Sequence, residues 1–381
     1  MKKPFEPSFN LIRAVSAIMI VYVHYSYCYA EYGIMNGPGF LMFKNGDIGG
    51  VFVTLFFMLS GAALLYNHPR IPDLKSLKDF YIKRWLNIFP AFYIAWTVMY
   101  IINSRKMGGW FWGGVRKKFL LSFFGIDGYF LHLGMNYYCL GEWFLGAIII
   151  LYLLYPLLLF LWNRSRIPST LVLIFLFLFN LRRHFFSSWP DINIFIVFIK
   201  YYNSHITISD NMCLWTCLLD FWCGFILVTY ALPLIKKLQG EEKGKLTKQS
   251  LAAFLIVLFL LILFFTVELP FNKQETSVIM AFLFYLLFTI LTPLFSSKAS
   301  APINLISKYS YPVFLVHHVM IYAILDHFRN IPFTRVTSLL MFIPVYLIIF
   351  AVGYVLNAVT GALLKAAEYP VKLVTGNKGK E

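Results

Sequence analysis

Charge is what this sequence has least of. Only 13% of its 381 residues are Asp, Glu, Lys or Arg, against 60% hydrophobic, which excludes a water-soluble domain of this size and reads as a polytopic membrane protein. Acid is scarcer than base, 17 residues to 33, and a net charge of +16 would suit nucleic acid if the chain were soluble. Here the Lys and Arg residues gather in short connections between apolar segments, so the expected electrostatic partner is membrane lipid of anionic type and no nucleic acid. Cysteine is rare as well. Cys28, Cys139, Cys213, Cys217 and Cys223 show no paired metal-type spacing, and their odd number excludes complete pairing within one chain; no metal site is expected. There is no internal repeat and no stretch resembling a soluble extracytoplasmic domain, so the chemistry must be done inside the membrane.

Hydropathy marks about ten spans, roughly 9–31, 48–66, 85–102, 139–162, 168–181, 211–235, 249–267, 277–296, 308–326 and 335–364, which predicts an all-α polytopic fold. One membrane domain with a short basic tail over 365–381 accounts for the chain. The fifth span is cut short by Arg182, Arg183 and His184, and Ile192 to Ile199 could extend it as a broken element. With the N-terminus inside, the cytoplasmic connections hold Arg70, Lys75, Lys78, Lys83 and Arg84, then Arg164 and Arg166, then Lys236, Lys237, Lys243, Lys245 and Lys248. Both termini are then cytoplasmic. The connection from Asn103 to Tyr138 opposes that orientation with Arg105, Lys106, Arg116, Lys117 and Lys118. Its Trp110, Phe111 and Trp112, followed by Asp127 and His132, suit an interfacial or re-entrant segment, or stacking on sugar rings.

The first span, FNLIRAVSAIMIVYVHYSYCYAE, carries Arg13 near its start and His24 inside it. At about 100° and 1.5 Å per residue, the step from Arg13 to His24 returns to nearly the same helix face roughly 16 Å further along. Arg13, Ser16, Ile20, His24, Tyr27 and Glu31 form one stripe, which must face protein or water rather than lipid. A polar cavity lined by that stripe is the functional reading; snorkelling of Arg13 and a helix-bonded His24 is the structural one. Arg13 and the length of the run argue against a cleaved signal peptide ending at Cys28-Tyr29-Ala30.

Elsewhere, Ser60 beside Gly61 permits close helix contact in the second span. Lys83 and Arg84 precede Pro90, whose missing N–H can open a helix beside a cavity; with Arg13 they would form a cationic rim for a phosphorylated ligand, or else only mark topology. The ninth span places His317 and His318 within an apolar run. Neighbours on a helix diverge by about 100°, so at most one of them is expected on the cavity face. Histidines in an apolar site with a cationic rim suit two tasks: transfer, with a neutral imidazole taking a proton from an attacking hydroxyl, or transport, with the same groups as proton relays.

Five elements in order, R-x10-H at Arg13 and His24, TLFFMLSG, KRWLNIFP, EWFLGAIIILYLLYP and YSYPVFLVH, resemble the membrane-bound acyltransferase family 3 over nearly the whole chain. The resemblance implies an integral O-acyltransferase of the bacterial cytoplasmic (inner) membrane, moving an acyl group, commonly acetyl, from cytoplasmic acyl-CoA to a surface glycan or glycolipid hydroxyl. It implies function for Arg13 and a catalytic role for His24, and matches Ser60, Gly61, Arg84, Pro90, Trp143, Tyr152, Pro156 and His317 to the family pattern. On that basis Arg13, Arg84 and Lys83 are the expected donor-binding residues, with His24, Arg13 and His317 catalytic. Ser60, Tyr27, Trp143, Tyr152 and His318 are the expected cavity wall. Asn87, Ile148 and Thr54 depart from the pattern, standing where relatives carry Arg, Glu and an acid, which suggests different acceptor handling or a donor other than acetyl-CoA. No permanently bound cofactor is implied. Lacking the extra domain of some relatives, the chain would acylate its acceptor directly or through a separate extracytoplasmic partner. A carrier or flippase for a polysaccharide intermediate is the alternative, and a non-catalytic envelope-complex subunit a third.

Overall fold

Long apolar runs in lipid must satisfy their own backbone groups, and helices do so within one segment. The structure is a computed structural model that describes residues 6–39, 42–131, 135–140, 143–181, 213–240, 244–295 and 297–374. Its helices are α1 (Pro7–Glu31), α2 (Ile48–Asn67), α3 (Leu74–Lys106), α4 (Phe119–Phe123), α5 (Trp143–Leu181), α6 (Leu214–Gln239), α7 (Lys248–Thr266), α8 (Lys273–Leu291), α9 (Ser297–His327) and α10 (Arg335–Val374). A two-residue hairpin, Met42–Phe43 against Gly46–Asp47, is the only sheet among the described residues. Polar residues start the helices where the sequence places them. Asp47 caps Gly50 N at 2.7 Å, Asp73 caps Ser76 N at 2.7 Å, and Asn272 forms a reciprocal box with Glu275.

Among the described residues, eight helices are long and apolar enough to cross a membrane: α1, α2, α3, α5, α6, α7, α8 and α10. Helix α9 is long enough but more polar, and it is packed between α1 and α10. Its polar load is therefore met by protein rather than lipid. The separately expected spans 139–162 and 168–181 run on as α5, broken at Ser165, where φ is −143° and ψ is 47°. Arg182, Arg183, His184 and the run from Ile192 to Ile199 lie outside the described residues. The third helix begins at Leu74, well before the apolar run, so Lys83 and Arg84 stand on its early turns rather than in a loop.

Helix α2 is the hub, packed against α6, α8 and α1. It crosses α6 at a pair of glycines. A Cβ on Gly61 would lie 2.0 Å from the Phe221 carbonyl oxygen, and one on Gly224 would lie 2.0 Å from that of Met58. Only hydrogen fits at this crossing. Contacts at the helix ends define two faces. Glu6 pairs with Lys236, Gln239 Nε2 donates to the Thr289 carbonyl at 2.7 Å, and Tyr155 donates to the His68 carbonyl at 2.6 Å, all on what we term the basic face. On the other, the Glu31 face, Tyr25 donates to the Ser338 carbonyl at 2.8 Å and Asn36 to that of Phe333 at 2.9 Å.

The connection after α3 folds back over the end of that helix. Ser122 Oγ donates to Asp127 at 2.7 Å, Asn136 donates to the Asp127 carbonyl at 2.9 Å, and Tyr137 stacks on Phe119 at 3.9 Å between centroids. Trp110 and Phe111 remain exposed, with Arg116 4.2 Å over the Phe111 ring. Burial pushes the Asp127 carboxyl above its ordinary value. His132 lies outside the described residues.

Candidate functional site

Helix α1 carries the stripe through the protein. Ser16 and Ile20 are buried between Arg13 and His24, and the Ser16 hydroxyl has no partner among the described residues. Arg13 Nη1 donates to Ser307 Oγ on α9 at 3.4 Å, Ser307 Oγ donates to Asn10 Oδ1 at 3.1 Å, and Asn10 Nδ2 donates to Asn304 Oδ1 at 2.8 Å. Ser307 and Asn304 on α9, with Asn10 on α1, thus hold the guanidinium in place.

That guanidinium opens into a chamber of about 1020 Å³ at the basic face, built from α1, α2, α3, α5 and α9. Arg13, Lys83 and Arg84 line it, with His68 at the end of α2, and no carboxylate lines it among the described residues. The Nε of Arg84 is buried without a partner among the described residues. Burial, then the nearby charges of Arg84 and Lys83, hold the His68 imidazole below its ordinary value. Uncompensated cations in a concave site attract an anion. Ser60 and Tyr152 line the chamber, and so do Asn87 and Ile148. Tyr311, also on the wall, donates to the Ile88 carbonyl at 2.8 Å, joining α9 to α3 just before Pro90.

Deeper in, Phe56, Ser310 and Phe314 line the chamber and also a second void of about 10 Å³, which ends at His317. That is about the room of one water molecule or methyl group. Phe144 backs the partition, 5.9 Å from the Phe56 ring and 5.4 Å from that of Phe314. Behind it three imidazoles meet. His24 Nδ1 and His318 Nε2 are 3.0 Å apart with ring planes at 84°, while the His317 ring centre lies 5.1 Å from that of His24. His317 is fully buried, and its Nδ1 donates to the Phe314 carbonyl at 2.7 Å.

Three expectations are corrected by this arrangement. His318 lines neither void, whereas His317 ends the smaller one, because neighbouring residues on α9 point in different directions; both rings nevertheless meet His24. Tyr27 is 40% exposed and does not line the chamber, since the stripe leaves the protein interior beyond His24. Trp143 packs beside Phe57 and Phe144 rather than on the chamber wall. His24 itself is one layer behind the chamber. His68 was not singled out in the sequence, because a lone His in a connection gives no signal. Asp220 gave one that was available: it is an acid inside an apolar run. It is buried at the crossing of α2 and α6 and accepts from Thr54 Oγ1 at 3.1 Å.

A polytopic helical protein with an anion-attracting chamber leading to buried imidazoles is of the class that can bring a charged donor to a group-transfer centre within the membrane. The family model described as an acyltransferase domain matches residues 6–358, nearly the whole chain. The chain belongs to acyltransferase family 3 and is a multi-pass membrane acyltransferase. No curated protein and no solved structure matches it.

Proposed function

We propose that this protein is an O-acyltransferase of the bacterial cytoplasmic membrane, which takes an acyl group, acetyl first of all, from acyl-CoA and places it on a hydroxyl of a surface glycan or glycolipid. The observation that carries the reading is the chamber lined by Arg13, Lys83 and Arg84, without a carboxylate among the described residues, which shares Phe56, Ser310 and Phe314 with the small void that ends at His317, whose ring centre is 5.1 Å from that of His24. The cations hold the donor's phosphates. The thioester extends past the partition, and His24 acts as general base. As the acceptor oxygen bonds to the acyl carbon, its proton passes to His24, the carbon–sulfur bond breaks with its electron pair on sulfur, and His24 returns the proton to the thiolate. His317 helps to orient the acyl group. The basic face is cytoplasmic in this reading, both termini lie there, and anionic lipid surrounds it. Transfer is made directly to the acceptor or to a separate extracytoplasmic partner.

The test is reconstituted protein supplied with acetyl-CoA and isolated glycan, scored by thiol release and by the acyl mass on the glycan. Wild type should release one thiol per acyl group transferred, and His24→Ala none. Wild-type activity in His24→Ala would refute the assignment of the base. Movement of unmodified glycan without thiol release would instead establish a carrier.

A further inference from the structure

We propose that His318 is the positioning residue of His24: its Nε2 accepts a hydrogen bond from His24 Nδ1 and so keeps the lone pair of His24 Nε2 free for the attacking hydroxyl. The inference rests on the general-base reading above and adds to it the group that sets the base's tautomer. A neutral imidazole has one donor and one acceptor nitrogen, so the bond made at one nitrogen decides what the other can do. Of the two histidines beside His24, only His318 meets it through a nitrogen, at 3.0 Å with perpendicular rings. The neighbouring His317 spends its Nδ1 proton on the Phe314 carbonyl of its own helix. His24 and His318 are 294 residues apart in the chain and stand on α1 and α9, whose packing fixes the pair. Tyr322, one turn beyond His318 and 5.2 Å from its ring, donates to the Glu31 carboxylate and braces the same two helices on the Glu31 face.

In the transfer, His318 gains no net proton. The acceptor's proton moves to His24 Nε2 as the oxygen–carbon bond forms, and returns to sulfur as the carbon–sulfur bond breaks. Between those events the imidazolium of His24 donates through Nδ1 to His318, as a catalytic histidine elsewhere donates to an orienting group.

The experiment compares kcat and donor KM for wild type, His24→Ala, His318→Ala, His318→Gln and His318→Asn, as full-length protein in lipid vesicles with acetyl-CoA and glycan. A glutamine oxygen reaches the place of imidazole Nε2, whereas an asparagine oxygen reaches only that of Nδ1. His318→Ala should lose about 10²-fold or more in kcat with donor KM unchanged within about twofold. His318→Gln should recover at least about tenfold of that loss and His318→Asn none. Equal kcat in the Gln and Asn variants would overturn the inference whatever the Ala variant does, since misfolding would not tell the two amides apart. A wild-type kcat in His318→Ala, or a loss lying wholly in KM, would overturn it too. Full activity in His24→Ala would remove the general-base reading itself, an outcome distinct from any His318 result.

Discussion

Replacing Arg84 by glutamine keeps a side-chain stem in the chamber wall but removes the fork and its charge. The Arg84 Nε is buried and makes no bond to any described residue, so no described residue competes strongly for it; the guanidinium also lies 5.8 Å from the Phe80 ring. A hydrogen bond to a charged group is worth about 1.5–3 kcal/mol net. At about 1.4 kcal/mol per factor of ten, losing one bond to a donor phosphate should weaken donor binding by about 10- to 150-fold. The phosphates remain in place while the thioester reacts, so the loss should fall on KM and leave kcat within about threefold. The control is a donor without phosphates. Acetyl-pantetheine carries the same thioester on a shorter arm, and wild type and Arg84→Gln should use it equally well. Steady-state kinetics of both proteins with both donors form a closed cycle. An equal loss with acetyl-pantetheine would refute the phosphate assignment, and so would no loss with either donor.

Enlarging the partition between chamber and imidazoles should change which acyl groups are accepted. Phe56→Ala or Phe314→Ala is expected to raise butyryl transfer relative to acetyl by about tenfold or more, in line with the about 1–3 kcal/mol that a hydrophobic pocket discriminates per methylene; competition assays with mixed thioesters would show it. Gly224→Ala forces a Cβ to within 2.0 Å of the Met58 carbonyl oxygen, so α2 and α6 must part. Thermal unfolding in detergent should reveal a cost of at least about 1–3 kcal/mol, the usual range for overpacking. His68 is held below its ordinary value of 6.5 by burial and by Arg84 and Lys83, and a bound phosphate would raise it again. Donor affinity should therefore increase as pH falls below 6.5, with a slope that His68→Gln removes; equal slopes in the two proteins, measured by donor binding, would exclude His68 from the anion site. For folding the sign is opposite. The unfolded imidazole takes its proton first, so His68 subtracts stability on the same acidification.

The elements legible in the chain are those that depend on neighbours in sequence. Apolar length and basic flanks mark the helices, and the spacing of Arg13 and His24 places both on one face of α1, because helix periodicity is a property of a single segment. The ordered motifs point to the family for the same reason, as each is read within one helix. The rotation of a helix about its axis, and the helix it meets, come from packing. Gly61 and Gly224 let α2 and α6 touch, α9 lies between α1 and α10, and these contacts decide that His318 reaches His24 while Tyr27 looks outward. The chamber is likewise a product of assembly. Arg13, His68 and Arg84 come from α1, the end of α2 and α3, and the lack of a carboxylate among the described lining residues becomes visible only when those helices, α5 and α9 stand together. Sequence sets the periodicity of each surface, and tertiary packing selects which surfaces meet, because burial is a property of the pair and not of either helix alone.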